Sequence, residues 1–250
     1  MAINQCAAPP RAWVQTSSLA IYGDAGDRIC DETAPHGQGF SVEVCERWEA
    51  AVEQQATPYT RKTILRIGFA LGRGGGAFGK LARLARWGLG GTVGSGRQYI
   101  SWLHIADLNR MFRWGIEHEQ IAGTYNATGP HPVPNATFMR DLRRALRVPL
   151  GLPAPAFVVR MGAFVMRTEA SLALTGRRCV PARFNRARLR LYVHRPWRDV
   201  ARLARVISGT AVSHTGMEPA PYSARLSGCV RLLDCPRSPT SAVRAPTLGP

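Results

Sequence analysis

Residues 62–69, KTILRIGF, predict a buried β-strand, because β-branched and large apolar side chains dominate this stretch. A shorter strand, AWVQTS at residues 12–17, precedes it and ends in small hydroxyl side chains. Apolar residues at helical spacing predict a helix over 40–56, between the two strands. A helix over 81–87 and a strand over 124–128 follow. Strands that alternate with helices predict an α/β domain with a parallel sheet.

The remaining elements continue this alternation. We expect an extended segment over 99–104, a helix over 106–119, a helix over 135–147 capped by Asn135, a proline-rich hinge over 149–155, and a mostly helical apolar segment over 156–174. The large rings predicted to lie in the core are Trp48, Trp87, Trp102, Phe112 and Phe138. Since strands of a parallel sheet open a crevice at their carboxyl ends, a ligand site is expected there.

The chain is strongly basic, with 250 residues and a formal net charge of +17. Taken alone, this charge indicates a polyanionic partner such as nucleic acid. However, only Lys62 and Lys80 are lysines, so 31 of the 33 basic residues are arginines. A GC-rich coding sequence produces this bias as readily as selection for phosphate binding does. The charge therefore does not decide the function.

Several classes of protein are excluded by what the sequence lacks. No apolar run approaches the 18 or more residues of a membrane span, and MAINQCAAPPR does not resemble a secretion signal. The six cysteines form no CxxC pair and no ligand ladder with histidine. These observations predict reduced thiols, no metal, no membrane association and a cytoplasmic location.

Two motifs carry a resemblance to a known family. The segment TSSLAIYG at 16–23 is similar to the SSxxxYG segment of extended short-chain dehydrogenases/reductases. The string GSGRQYISWLHIADL at 94–108 is more specific, and it resembles the atypical "epimerase family" branch of that superfamily. Further similar stretches extend the resemblance over about residues 13–184.

The resemblance implies a fold and a division into three parts. Residues 1–148 are expected to form the C-terminal half of a Rossmann-like, doubly wound α/β sheet that lacks its first strands. Residues 149–185 are expected to form a small α-rich substrate region. Beyond the resemblance, the arginine-rich composition of 186–250 and its lack of periodicity predict a tail that is largely disordered. Loss of the first strands would expose a sheet edge and apolar faces, including AFVVRMGAFVM at 156–166, and favour aggregation.

The resemblance also implies which residues form the site. Ser18 matches the catalytic serine or threonine of the superfamily, although a plain turn residue is the alternative. Candidates for contact with NAD(P) are Thr16, Ser17 and Arg66, and candidates for contact with a small-molecule substrate are Arg97, Gln98 and His104. Arg97 is otherwise a solvated side chain. His104 and Asp107 have the spacing of a metal pair, but we favour Asp107 as the cap of the next helix.

Two departures from the family pattern put activity in doubt. The glycine fingerprint that holds the dinucleotide between a first strand and a first helix is missing, because the chain begins just before the fifth strand of that pattern. The catalytic Tyr-xxx-Lys pair is also missing, since its place falls at Phe40–Val44. We therefore expect the chain alone to bind no NAD(P) and to be inactive unless a separate N-terminal half complements it.

The C-terminal part departs from the family as well. After 174–184 the family continues with an aromatic string, whereas this chain continues with RARLRLYVHRPW, and a shifted reading frame can restore the aromatic string. We therefore expect a change of frame near 185–188. The alternative function is that of a basic protein that binds nucleic acid through residues 186–250, which we consider the weaker hypothesis.

Overall fold

The computed structural model describes residues 2–72, 76–165, 170–189 and 191. The strands are β1 (Ala12–Ser18), β2 (Ile29–Cys30), β3 (Arg61–Ile67), β4 (Phe69–Leu71), β5 (Tyr99–Ile100), β6 (Trp102–His104), β7 (Gly123–Ala127), β8 (Val133–Pro134) and β9 (Arg178–Cys179). The helices are α1 (Ala2–Gln5), α2 (Phe40–Glu53), α3 (Gly76–Leu84), α4 (Ile105–Glu117), α5 (Asn135–Leu146), α6 (Ala156–Val165), α7 (Ser171–Leu174) and α8 (Ala182–Arg186).

The central sheet is parallel, with strand order β1-β3-β7. Each connection crosses over through helical segments, as parallel neighbours require. Helix α2 packs on β1 and β3, and α4 packs on β1. Gly115 permits the close approach of α4, because a Cβ atom at that position would lie 3.4 Å from the side chain of Val14. The α/β fold expected from the sequence is thereby confirmed.

The predicted strand over 62–69 is two strands rather than one. The backbone of β3 pairs with β7, whereas β4 pairs with β6 after the chain turns at Gly68. A Cβ atom at Gly68 would lie only 2.5 Å from the carbonyl oxygen of Ser101, so a glycine is needed at this crossing. The predicted segment 99–104 divides in the same way, with β5 paired to β8 and β6 paired to β4.

The predicted helices form with shifted ends. Helix α2 ends three residues before the predicted end at residue 56. Helix α3 begins five residues earlier than the predicted start at 81, and a π-helical turn, Ala85–Leu89, continues it. The apolar segment 156–174 forms α6 and α7, and residues 166–169 between them lie outside the described part.

Two of the five rings predicted for the core are exposed instead. Trp102 and Phe138 are buried, but Trp48 is 53% and Trp87 is 73% exposed. In α2 the buried face consists of Val42, Cys45, Glu49 and Val52, and Trp48 lies beside that face. The apolar periodicity of the sequence assigned Trp48 to the core, because a pattern of apolar residues does not predict that Glu49 lies on the buried face of the helix.

Other expectations concern residues that the structure describes only in part. The four described cysteines, Cys6, Cys30, Cys45 and Cys179, form no disulfide. Within the described residues, no helix has the length and apolar character needed to cross a bilayer. The tail predicted to be disordered, 186–250, lies almost wholly outside the residues that the structure describes. The predicted domain boundaries after 148 and 185 remain predictions.

Candidate functional site

The candidate site lies at the carboxyl ends of the three parallel strands. Ser17 of β1 is in register with Arg66 of β3, and Arg66 is in register with Asn126 of β7. Register partners in a parallel sheet present their side chains on the same face. All three residues are buried, at 5% exposure or less. A row of polar side chains therefore crosses the sheet where a ligand crevice was expected.

A buried ion pair holds this row together. The Nε atom of Arg66 donates to Glu49 Oε1 at 2.9 Å, and its Nη2 donates to Glu49 Oε2 at 2.7 Å. Ser17 donates its hydroxyl to Glu49 Oε1 at 2.6 Å. Burial is the largest single influence on Arg66 and lowers its pKa, but the hydrogen bonds and charges of Glu49 and Tyr22 together outweigh burial and raise it. Oε1 of the carboxylate therefore has two donors and Oε2 has one, and the contact between Arg66 and Glu49 is bidentate.

Tyr22 extends the network toward β7. Its hydroxyl accepts from Arg66 Nη1 at 2.9 Å and donates to Asn126 Oδ1 at 2.8 Å. The Asn126 amide donates in turn to the carbonyls of Val180 and Cys30, at 3.2 and 3.4 Å. Burial raises the pKa of Tyr22 to about 12, although Arg66 acts in the opposite direction. The phenol is therefore neutral at physiological pH.

His36 connects the buried network to the surface. Its Nε2 lies 3.0 Å from Arg66 Nη2, and its Nδ1 lies 2.8 Å from Glu46 Oε1. Since arginine can only donate, Nε2 is the acceptor and the ring proton sits on Nδ1, which donates to Glu46. Each of the three guanidinium nitrogens of Arg66 is thus engaged by protein groups.

Ser18 lies next to this row at the end of β1. Its Oγ accepts from the backbone N–H of Ala20 at 3.1 Å and so caps the short 3₁₀ helix Leu19–Tyr22. The hydroxyl proton is not used in that bond, so Ser18 can still donate. The thiol of Cys45 lies close by, because a hydrogen bond connects it to the Ser18 backbone, and burial raises the pKa of Cys45.

The other predicted site residues differ in exposure and in the contacts that they make. Thr16 and Arg97 are exposed. The Gln98 amide donates to the carbonyls of Val93 and Ala173, at 2.8 and 3.2 Å, and so braces the loop before β5.

The helix α4 is capped by another predicted substrate contact. His104 occupies the N-cap position, because its Nδ1 accepts from the Ala106 N–H at 3.0 Å. Asp107, the predicted cap, lies instead in the first turn of the helix.

Asn135 also differs from its predicted role as a helix cap. It is the first residue of α5, and its Oδ1 accepts from the Val93 N–H at 2.9 Å. The side chain thereby fixes the glycine-rich loop rather than the helix end. Local sequence cannot distinguish these two uses, because both satisfy a backbone donor with a side-chain oxygen.

The sequence reasoning missed most of the network. The sequence alone assigned no role in the site to Tyr22, Asn126, Glu49 or His36. One signal was available for Glu49, since Cys45, Glu49 and Val52 share a helix face. A carboxylate on an apolar face requires a buried cation or donor, and Arg66 in the neighbouring strand satisfies that requirement.

A cleft of about 500 Å³ lies at the opposite end of the sheet. It is lined by residues next to the starts of β1 and β3 and near the end of α4, including Arg11, Arg61 and Glu117. The Arg61 guanidinium donates to the Gly115 carbonyl at 2.8 Å and helps close the end of α4. This cleft lies away from the polar row and is not the candidate site.

The comparisons with known proteins agree with this architecture. No family model matches the sequence. The structure is similar to the crystal structure of human epimerase family protein SDR39U1 (isoform 2) with NADPH, with a TM-score of 0.76 and 32% identity over 82% of this chain and 68% of that chain. A nucleoside-diphosphate sugar epimerase from Corynebacterium glutamicum has a TM-score of 0.63 and 25% identity, over 81% of this chain and 38% of that chain.

The sequence comparison leads to the same group. The chain is 34% identical over 177 residues to epimerase family protein ML0860 of Mycobacterium leprae, which covers 71% of this chain. The fold is the α/β fold of the atypical short-chain dehydrogenases/reductases, and within that class the chain belongs to the epimerase family proteins. It spans 57% of the length of the Mycobacterium leprae relative and 61% of a mouse relative.

Proposed function

We propose that the chain supplies the substrate side of an NAD(P)-dependent, epimerase-like or oxidoreductase site, in which Ser18 contacts a substrate hydroxyl or carbonyl. One observation carries this proposal. Ser18 stands at the carboxyl end of β1 beside the polar row, and its Oγ accepts from Ala20 while the hydroxyl proton remains available. The position and the unused donor suit a group that orients a substrate oxygen.

The proposed substrate is a small molecule with a sugar-like hydroxyl or carbonyl group. Two comparisons support this class: the human relative was solved with NADPH, and the Corynebacterium glutamicum neighbour is named a nucleoside-diphosphate sugar epimerase. Bound NAD(P) would supply hydride transfer. The residues of this chain hold and orient the substrate, and neither Phe40 nor Val44 can supply a proton from the place of the Tyr-xxx-Lys pair.

In this proposal Ser17, Arg66 and Tyr22 are positioning residues. The Ser17 hydroxyl and all the guanidinium nitrogens of Arg66 are committed to protein partners, so they do not fit a role as ligands of a cofactor phosphate. The raised pKa of Tyr22 keeps its proton in place at neutral pH, since burial favours the neutral phenol. Thr16 is exposed and could still contact the cofactor.

We further propose that the chain alone binds NAD(P) weakly and that a complementing N-terminal half would supply the phosphate loop. Within the described residues, β1 pairs with β3 on one edge and has no strand on the other. An unpaired edge of a parallel sheet accepts another strand through its backbone groups. A docked half would place a dinucleotide at the crevice beside Ser18.

NADPH fluorescence can test this proposal with two proteins. One is the chain itself, and the other is a fusion in which the unmatched part of the human relative precedes Met1. We expect saturable NADPH binding by the fusion and at most weak binding by the chain alone. Tight binding by the chain alone would contradict the proposed complementation, and a folded fusion that binds no NADPH would overturn the NAD(P)-dependent function.

The role of Ser18 is tested in the same fusion. We expect Ser18→Ala to retain NADPH binding and to lower turnover of a nucleotide-sugar or ketone substrate by about 10²-fold, the usual effect of removing one positioned donor. Thr33→Ala is the matched control, because Thr33 is an exposed hydroxyl that bonds within its own turn to Asp31. Equal turnover by the Ser18 and Thr33 variants would remove Ser18 from the mechanism.

A further inference from the structure

Two cysteines from distant parts of the chain lie side by side in a short ribbon. Strand β2 pairs in parallel with β9, and Cys30 is the register partner of Cys179. The Val180 N–H donates to the Cys30 carbonyl at 3.0 Å, and the Cys179 N–H donates to Ser101 Oγ at 2.8 Å. Register partners in a parallel ladder present their side chains on the same face, so the two thiols lie next to each other on one face of the ribbon.

The two neighbouring cysteine side chains are shielded from solvent. Both residues are 0% exposed, and a hydrogen bond connects their thiol groups. Paired strands lie about 4.8 Å apart, which is within the range of about 4.4–6.8 Å for the Cα atoms of a disulfide. The backbone therefore holds the two cysteines at a separation that a covalent bond can span without rearrangement of the fold.

The surroundings make the two thiols chemically unequal. The hydrogen bond from Cys179 lowers the pKa of Cys30 against the effect of burial, and the charges of Arg28 and Arg177 lower it further. Burial raises the pKa of Cys179, and the neighbouring Cys30 raises it further. Cys30 therefore has the character of the attacking thiolate, and Cys179 that of the thiol that resolves the reaction.

We propose that Cys30 and Cys179 are a redox modification site that forms a reversible intramolecular disulfide with a peroxide as oxidant. The Cys30 thiolate attacks one peroxide oxygen, the O–O bond breaks, and hydroxide leaves, so that Cys30 becomes a sulfenic acid. The Cys179 sulfur then attacks the Cys30 sulfur and expels water. In total, two thiols lose two electrons and two protons, and hydrogen peroxide is reduced to two waters.

The location of the pair predicts how oxidation occurs and what it changes. Each strand of the ribbon has only two residues, so local opening costs less than global unfolding and admits the oxidant. The disulfide would lock β2 to β9. This ribbon supplies two carbonyl acceptors to the Asn126 amide, at Cys30 and Val180, so the modification acts at the border of the polar row.

Peptide mapping of the full chain tests the proposal. The native protein is treated with hydrogen peroxide, its remaining thiols are blocked by alkylation, and its peptides are examined by mass spectrometry with and without reduction. We expect a linked pair that contains Cys30 and Cys179, the loss of both alkylated peptides, and their return after reduction. Cys45 is the internal control, because it is buried nearby and its pKa is raised, so it should stay alkylated.

Two further results decide the proposal. Cys45→Ala should keep the link, whereas Cys179→Ala should abolish it and leave Cys30 as a sulfenic acid that a dimedone probe captures. If Cys30 and Cys179 were alkylated as fully as Cys45 after oxidation, the proposal would be overturned. A link that forms equally well in denaturant would also overturn it, since the folded ribbon would then have no part in pairing. The map of the unmodified chain stays decisive if Cys179→Ala does not fold.

Discussion

At the residue scale, the candidate site depends on one carboxylate. Glu49 accepts from Ser17 and twice from Arg66, and the side chains of Glu49 and Arg66 are only 7% and 6% exposed. Such a pair contributes little net stability compared with apolar residues, but its members depend on each other. Removing one partner leaves a buried charge without compensation.

Glu49→Ala should therefore destabilise the fold strongly. We expect the free energy of unfolding to fall by about 3–5 kcal/mol, because the Arg66 guanidinium would remain buried without its counter-ion. Urea denaturation measures the change. Glu53→Ala, an exposed position on the same helix, should change stability by less than about 0.5 kcal/mol. Equal effects of the two substitutions would mean that the ion pair is not buried in solution.

Tyr22 gives the site a pH dependence in the alkaline range. Its pKa is about 12 in the folded chain, against an ordinary value of 10.0, because burial disfavours the phenolate. Above pH 10 the unfolded chain therefore loses this proton while the folded chain keeps it. Stability is then lost between pH 10 and pH 12, by up to roughly 2–3 kcal/mol.

Urea unfolding at pH 9 and pH 11 would measure this loss. Tyr22→Phe should be less stable at both values, because Arg66 and Asn126 lose a partner, but it should lack the part of the pH dependence that Tyr22 contributes. The difference between the two slopes isolates Tyr22 from the other titrating groups. Parallel slopes for the two proteins would assign the alkaline loss to other residues.

At the element scale, the alternation of strands and helices was predictable and the partners of each strand were not. The stretches that became β1, β3 and β7 were predicted within one or two residues, because apolar patterning determines them. The break at Gly68 escaped prediction, since it is caused by the Ser101 carbonyl, 33 positions away in the sequence. The N-cap position of His104 also escaped prediction, although its hydrogen bond to the Ala106 N–H is local.

Gly68 should be intolerant of a side chain. In Gly68→Ala the new Cβ atom would lie 2.5 Å from the Ser101 carbonyl oxygen, so the β3–β4 junction would have to shift. We expect a destabilisation of about 1–3 kcal/mol, typical of overpacking. Thermal or urea denaturation measures it.

Gly79 is the matched control for Gly68. It lies inside α3, and a Cβ atom there would meet nothing within 4 Å. Gly79→Ala should therefore stabilise the chain by about 0.5–1 kcal/mol through helix propensity. If Gly68→Ala proved as harmless as Gly79→Ala, the close crossing at Ser101 would not exist in solution.

At the scale of the whole molecule, the sequence predicted the family and the sheet but not the polar network. The family was predictable because the 94–108 string is specific, whereas the network joins residues 17, 22, 36, 49, 66 and 126 through contacts that no local pattern encodes. The apolar face predicted to be exposed within 156–166 is exposed on α6, whereas the apolar residues of β3 are buried. Phe157 and Phe164 are 64% and 86% exposed, while Ile64 and Leu65 are buried.

The exposed face of α6 predicts self-association of the chain. Apolar patches of this kind on a single chain favour contact with other molecules. We expect sedimentation velocity to show larger species as concentration rises, and Phe157→Glu with Phe164→Glu to shift the distribution toward monomer. Trp87→Glu, at another exposed ring, serves as the control. A wild-type chain that stays monomeric throughout would contradict this prediction.

The row of Ser17, Arg66 and Asn126 also constrains how the chain reaches its fold. If β3 slipped by one residue along β1, Arg66 would turn to the opposite face of the sheet, because strand side chains alternate. Glu49 would then be buried without a cation, at a cost of several kcal/mol. A sheet with a shifted register is thus destabilised as soon as α2 packs on it. A single arginine therefore favours the native register of the strands during folding.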